Sequence, residues 1–195
     1  ANYWMHNGFV NIDNVKMSKS LGNFITVHDA LKTIDGQVLR FFFATQHYRK
    51  PINFTEKAVR DAETNLKYLK NTYEQPFTGE VDPADLQGFV DKFIAAMDED
   101  INAANGITVV FELAKWINSG HYNQDVKDAL TKMLEVFGVV FVEEVLDADI
   151  EALIAERQEA RANKDFARAD AIRDELAAQG IKLLDTKEGV RWTRD

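Results

Sequence analysis

The sequence predicts a mainly α protein: an antiparallel helical bundle, preceded by a short strand-and-loop segment and followed by a small α+β domain. Three observations carry this. Apolar residues recur at helical spacing through most of residues 55–137. Caps and breakers punctuate that stretch at short intervals, as in a bundle with short connections. The last fifty residues return to helix and end in a hairpin pattern. The domains read as 1–25, 26–148 (a connecting segment and the bundle) and 149–195.

The chain has 195 residues, enough for one large domain or a medium one with a small one. No run of about 18 apolar residues is present, so no transmembrane helix is expected. The opening Ala1-Asn2-Tyr3-Trp4 has no basic start and apolar core, so no signal peptide is expected; without an initiator methionine it reads as a segment of a longer protein or a processed product. There is no cysteine, which excludes disulfides and thiolate metal sites within the segment and fits a cytoplasmic protein. The net charge of −9 is uneven: residues 1–50 carry 6 basic and 3 acidic side chains, residues 51–148 carry 8 and 18, and residues 149–195 carry 9 and 11. An RNA or a nucleotide is therefore better tolerated at the two ends than in the middle.

Gly8 to Ile12, Asp13-Asn14 and Val15 to Met17 read as a hairpin. Thr26 with Asp29 resembles a capping box, and Val27, Ala30, Leu31 and Ile34 follow at helical spacing. Asp35 caps a helix to about Thr45, in which Val38, Leu39, Phe41, Phe42 and Phe43 are apolar nearly all round and are expected to be deeply buried. Arg40 reads as an ion-paired or snorkelling side chain at that helix edge. Gln46 to Pro51 breaks the pattern. Thr55 caps a long helix with Val59, Ala62, Leu66, Leu69 and Tyr73 on one stripe. Asp82-Pro83 starts the next, with Leu86, Phe89, Val90, Phe93, Ile94 and Met97. Two more follow, through Ile117 and through Phe137. These stripes are core. Asp98-Glu99-Asp100 reads as a solvated helix junction rather than a cation site. His6, His28, His47 and His121 lack paired ligand spacing and read as ordinary polar histidines.

Residues 142–149 read as a linker. Helices at about 149–163 and 166–179 follow, the second capped by Asp165 and ended by Gly180. Ile181 to Leu184, a turn at 185–189 and Val190 to Thr193 complete a hairpin, with Trp192 in its core.

The chemistry concentrates in Lys16-Met17-Ser18-Lys19-Ser20, followed by Leu21-Gly22-Asn23. Lysines bring mobile positive charge, and serine hydroxyls and free backbone N–H groups add donors to phosphate oxygens. Gly22 permits close approach or a positive φ. A loop so composed suits a polyphosphate on which charge develops. A bare K-x-x-K would be an ordinary solvated loop; the pentapeptide with its Leu-Gly-Asn extension resembles the signature loop of class I aminoacyl-tRNA synthetases.

The tail narrows the resemblance. Arg161-x-x-Lys164-Asp165-Phe166-x-x-Ala169-Asp170-x-Ile172-Arg173-Asp174-x-Leu176, then a helix end and a hairpin with a tryptophan, resembles the C-terminal domain of bacterial cysteinyl-tRNA synthetases. Asp35 to Phe43 resembles that family's opening of the anticodon bundle, with D-G-Q-V-L-R in place of the usual D-A-x-x-[VL]-R. Tyr3 to Gly8 resembles the segment before the signature loop. The likeness covers essentially the whole chain, but only the back part of such an enzyme.

The resemblance implies that residues 1–25 end a Rossmann-type catalytic domain, that the bundle binds tRNA, and that residues 149–195 recognise the anticodon. It implies ATP with Mg2+, cysteine and tRNA(Cys) as substrates, no membrane, a cytoplasmic and monomeric parent, and ATP-dependent activation of cysteine followed by transfer to tRNA. By resemblance Lys19 contacts phosphate, Lys16 supports the loop or the phosphates, Ser18 and Ser20 belong to the ATP site, and the backbone around Met17 lies near adenine. The family's His-Ile-Gly-His-type motif and its zinc ligands (two cysteines, a histidine and a glutamate) would lie upstream. The isolated chain is therefore expected neither to activate cysteine nor to bind zinc specifically.

By resemblance too, Arg161, Phe166, Asp170, Arg173 and Asp185 contact anticodon bases or organise that site. The family typically has tryptophan where Phe166 stands, stacked on the first anticodon base. On the residues alone, Phe166 reads as small-domain core and the charges as helix ion pairs; a stacking aromatic among donors and acceptors is the other reading. Two alternatives to the function remain: the back part of another class I synthetase, or a stand-alone, non-catalytic tRNA-binding or protein-interaction module. A ligase joining cysteine to a sugar amine shares the loop but lacks this tail.

Overall fold

The computed structural model describes residues 2–141, 148–186 and 189–194, without the side chains of 148, 149, 185, 186, 189, 191, 193 and 194. Much of the expected linker, 142–147, lies outside the described residues. The chain forms two compact units, Ala1–Phe141 and Val142–Asp195.

The first unit opens with strands β1 (Val10–Ile12) and β2 (Val15–Lys16), an antiparallel hairpin in the register Asn11↔Lys16 and Ile12↔Val15. Its two turn residues, Asp13 and Asn14, have φ of 47° and 67°. Two successive positive φ values match the right-handed twist of a tight hairpin, and Asp and Asn tolerate them best. The expected helix after Thr26 is a single turn, α1 (Val27–Ala30), with Val27 65% exposed and only Ala30 buried. Thr26 does cap it, accepting the Asp29 N–H at 3.0 Å. Helix α2 (Gly36–Ala44) starts at Asp35, whose Oδ1 accepts the N–H groups of Gln37 and Val38. Val38, Leu39, Phe41 and Phe42 are buried; Phe43, expected with them, is 37% exposed because the core covers only one side of this helix.

Strand β3 (Ile52–Phe54) is absent from the sequence reading. It pairs parallel to β1, Val10↔Ile52 through Ile12↔Phe54, and completes a sheet in the order β2-β1-β3. Three residues between Pro51 and a helix cap carry too little periodicity to signal a strand; only the distant partner reveals it.

Helices α3 (Glu56–Tyr73), α4 (Pro83–Asp98), α5 (Ala103–Asn118) and α6 (Gln124–Val136) build the bundle. Thr55 and Asp82 cap as expected. Asn102 and Asn123 also cap, accepting from Asn105 and Val126. Helix α5 is central and packs on α2, α3, α4 and α6. Its Val110, Leu113, Ala114 and Ile117 are fully enclosed, which is the burial that holds such a helix in place. Gly106 lets α5 approach closely: a Cβ there would stand 2.8 Å from Met97 Sδ and 3.2 Å from Phe137 Cζ. Helix α4 lies at the margin; Phe93 is buried, but Ile94, expected in the stripe, is half exposed. The α3–α4 and α5–α6 connections are stitched together. Thr78 Oγ1 donates to Gly120 O at 2.7 Å and accepts from Tyr122 N–H at 2.8 Å, and the buried Tyr122 hydroxyl donates to Tyr73 O at 2.6 Å.

Arg40 is exposed and lies across Gly138, where a Cβ would meet its Cδ at 2.7 Å. Gln37 Oε1 accepts the Val140 N–H at 3.2 Å. The polar edge of α2 thus holds the segment leaving α6.

The second unit contains α7 (Ala148–Ala162), α8 (Phe166–Ala178) and the hairpin β4 (Ile181–Thr186) and β5 (Gly189–Arg194). The strands extend two residues further at β4 and one at β5 than the expected 185–189 turn allowed, with Asp185↔Val190 and Thr186↔Gly189 still in register; residues 187–188 lie outside the described residues. Ile150, Ile172, Leu176 and Ile181 form the core, with Trp192 packed against them. Arg168 Nε donates to Glu156 Oε1 at 2.8 Å across the two helices, which holds the Glu156 carboxyl below its ordinary pKa and raises that of Arg168. Among the described residues no helix is long and apolar enough to cross a membrane.

Candidate functional site

Strand β2 ends at Lys16, and the signature loop turns out of the sheet there. Met17 N–H still donates to Val10 O at 3.0 Å, so the loop's root belongs to the hairpin. Beyond it Lys19–Leu21 make one 3-10 turn, closed by Gly22 N–H on Lys19 O at 3.2 Å with Gly22 at φ 70°. That positive φ is what the glycine permits.

Asn23 closes the loop. Its Oδ1 accepts the Ser18 N–H at 2.9 Å, and its Nδ2 donates to Lys16 O at 3.3 Å. One amide side chain therefore bridges both ends of Lys16–Asn23, in place of apolar pinning. In the sequence the only signal for this role is an asparagine directly after a turn glycine. The Ser18 and Ser20 hydroxyls stand 3.3 Å apart, and both lysines and Ser20 are exposed.

Each lysine rests on an aromatic ring that the sequence reading did not single out. Lys16 Nζ lies 3.7 Å from the Phe9 ring centroid, and Lys19 Nζ lies 5.4 Å from that of Phe24. Both contacts fall within cation–π range, and the closer one is the stronger. Phe9 and Phe24 remain largely exposed themselves.

The acidic triplet is exposed throughout, as expected of a helix junction, and Asp100 also has specific partners there. Asp100 Oδ1 accepts from the Tyr48 hydroxyl at 2.6 Å and from Arg49 Nη2 at 2.9 Å. The Tyr48 hydrogen bond, then that of Arg49, holds the Asp100 carboxyl below the usual carboxylate range. His47 stacks on Tyr48, with Nε2 3.9 Å from Asp100 Oδ2. His121 lies flat on Trp116 at 4.8 Å. Among the described residues no three of His, Cys, Asp and Glu converge as metal ligands, and the chain has no cysteine, so the residues here do not fit the zinc that the resemblance assigns to an upstream site.

In the second unit Arg161 lies in the last turn of α7 and Phe166 opens α8. A tight turn joins them: Lys164 N–H donates to Arg161 O at 3.1 Å, and Lys164 takes φ 62°. Asp165 Oδ1 caps α8 through the Arg168 N–H at 3.1 Å. Phe166 is 62% exposed, outside the unit's core. Asp170 and Arg173 follow at one and two turns, so the three share a stripe roughly 100° around the helix from buried Ala169, Ile172 and Leu176. Arg173 Nη1 lies 3.3 Å from Asp170 Oδ1, and its Nε 3.6 Å from Asp174 Oδ1. These are exposed pairs that an incoming base could compete with. Asp185 sits on β4 opposite Val190, and its side chain lies outside the described residues.

Residues 1–64 match the class I (C) tRNA synthetase catalytic domain, residues 92–143 the DALR domain, and residues 143–192 the cysteinyl-tRNA ligase anticodon binding domain. All 195 residues align with proteins described as cysteine–tRNA ligase: 85% identical in Streptococcus pneumoniae serotype 4, 80% in Streptococcus mutans serotype c and 73% in Streptococcus agalactiae serotype III. The chain spans 44% of the length of each of these relatives. Strands, signature loop and terminal helices thus fall within the segments of a class I synthetase. The chain belongs to the cysteinyl-tRNA ligase family.

Proposed function

We propose that this chain is the part of a cysteine–tRNA ligase that grips the phosphates of ATP through Lys16–Ser20 and reads the anticodon of tRNA(Cys) through its second unit. The observation that carries the reading is 85% identity along the entire chain to a protein described as cysteine–tRNA ligase. The reading places the protein in the cytoplasm.

In the first step the carboxylate oxygen of cysteine bonds to the α-phosphorus of ATP. The bond from that phosphorus to the bridging oxygen breaks, and pyrophosphate leaves with Mg2+. Negative charge grows on the departing oxygens, so an ammonium group that tightens there lowers the barrier. Lys19 takes this role; its 5.4 Å contact with Phe24 is loose enough to give up. Lys16, closer to its ring, steadies the loop or the phosphates. Ser18 and Ser20 add hydroxyl donors, and the backbone at Met17 borders the adenine. The activated cysteine is then passed to tRNA.

At the other end, the exposed Phe166 ring offers a stacking surface for an unpaired base, as single-stranded loops require. Phenylalanine has a smaller face than the family's tryptophan but the same chemistry. Asp170 and Arg173 supply an acceptor and donors for base edges, Arg161 a cation across the turn, and Asp185 an acceptor from β4.

Binding of this chain to a tRNA with a GCA anticodon, against the same tRNA with the anticodon changed, at two salt concentrations, tests the reading. Expected is anticodon-dependent binding that Phe166→Ala weakens about tenfold, in line with the loss of one stacked base. Equal, weak and strongly salt-dependent binding to both tRNAs would overturn it, leaving charge contacts alone.

A further inference from the structure

The turn between α4 and α5 is far in sequence from the signature loop, yet a polar clasp ties it to the backbone from which that loop springs. Asp100 Oδ1 accepts from the Tyr48 hydroxyl at 2.6 Å and from Arg49 Nη2 at 2.9 Å, and Arg49 Nε lies 2.7 Å from Asp100 Oδ2 as an ion pair. Arg49 Nε also donates to the Tyr48 hydroxyl oxygen at 2.8 Å. Asp100 and Ile101 take φ of 56° and 50°, a left-handed conformation unusual for a branched residue such as isoleucine. An isolated exposed pair would have little effect. Here the guanidinium lies against both carboxylate oxygens, and the Tyr48 hydroxyl shares Oδ1 with it, which fixes the geometry as well as the charge.

The path from the clasp to the loop is short. The Tyr48 carbonyl accepts the Gly8 N–H at 2.7 Å. Gly8 leaves no room for a side chain, since a Cβ would collide with the Lys50 carbonyl. Ile52 N–H donates to Phe9 O at 2.8 Å, and β3 then runs along β1. Phe9 carries the Lys16 ammonium at 3.7 Å, and Val10 O holds Met17 N–H at 3.0 Å. Residues 47–54 are thus held by the bundle on one side and hold residues 8–12 on the other.

We infer that Asp100 is a positioning residue for the signature loop: through Tyr48 and Arg49 it sets the strand bearing Lys16 against the helical bundle. Its role in catalysis rests on the reading of Lys16–Ser20 as the phosphate-gripping loop. Asp100 acts through its partners and need not touch substrate.

Amide hydrogen exchange on the intact chain tests the coupling without any activity. Asp100→Asn and Tyr48→Phe are each expected to speed exchange at Gly8, Met17 and Ile52 about tenfold, with Val110 and Leu113 unchanged and the double variant no faster than the faster single one. Unchanged exchange at Gly8, Met17 and Ile52 would overturn the inference. So would equal acceleration at Val110 and Leu113, which would mean general destabilisation. In a full-length protein carrying this chain, Asp100→Asn is expected to lower kcat for pyrophosphate exchange about fivefold with KM for cysteine unchanged. An unchanged kcat overturns the catalytic role. Lys19→Ala separates the two ideas: if that variant exchanges pyrophosphate normally, the phosphate-gripping reading falls, while the amide data still decide whether Asp100 holds the loop.

Discussion

Asn23 joins the two ends of the signature loop, accepting from Ser18 N–H at 2.9 Å and donating to Lys16 O at 3.3 Å. The loop's shape therefore depends on one exchangeable side chain rather than on a packed core. In a full-length protein carrying this chain, Asn23→Ala is expected to lower kcat for pyrophosphate exchange about tenfold, because misplacing a phosphate-contacting group is costly. Melting temperature should hardly move, since the bridge is at the surface. Steady-state kinetics beside a thermal melt would check both; unchanged kcat would leave Asn23 with no part in presenting Lys19.

Stability of the first unit should carry an acid-sensitive contribution from Asp100. Its carboxyl is held below the ordinary value by Tyr48 and Arg49 in the folded chain, and nothing so holds it when unfolded. A folded-state pKa below the unfolded one stabilises the fold fully above the unfolded value and fades as pH falls through the folded value. The gap in urea midpoint between the protein and Asp100→Asn should persist from pH 7 to about 5 and begin to shrink only below about 3.9, the unfolded value. A gap that stays constant down to pH 3 would contradict this.

Gly106→Ala sets two effects against each other. Alanine improves helix propensity by about 1 kcal/mol. Its Cβ would meet Met97 Sδ at 2.8 Å and Phe137 Cζ at 3.2 Å, and overpacking of this kind costs about 1–3 kcal/mol. A net loss of about 1 kcal/mol is expected, read from urea unfolding. Stabilisation would mean that the Met97 side chain moves aside freely.

Phe166→Ala should leave the fold nearly untouched, within about 0.5 kcal/mol, because the ring is 62% exposed and outside the core. Leu176→Ala, by contrast, empties a fully buried position and should cost about 2–5 kcal/mol in the second unit. Parallel chemical denaturation compares them. A large loss on Phe166→Ala would return that ring to a structural role.

Whatever is local or periodic can be read from consecutive residues. Helices α2 to α8 follow from apolar spacing, and Thr26, Asp35, Thr55, Asp82 and Asp165 cap where a hydroxyl or carboxylate precedes a helical stripe. The Asp13-Asn14 turn, the loop's lysines and the tail pattern were legible for the same reason: each is written in a few consecutive residues. Whatever depends on a distant partner emerges only once the chain has folded. Strand β3 exists because β1 is there to pair with it. Phe43 and Ile94 are exposed because neighbours cover only part of their helices, which a single helix's periodicity does not reveal. Asp100, though exposed, gains a fixed partner because the fold brings Tyr48 to it from 52 residues away. Phe166 projects from the small core because Ala169, Ile172 and Leu176, about a quarter-turn around the helix, already fill it. Burial and pairing are properties of two surfaces at once, and a linear pattern describes only one of them.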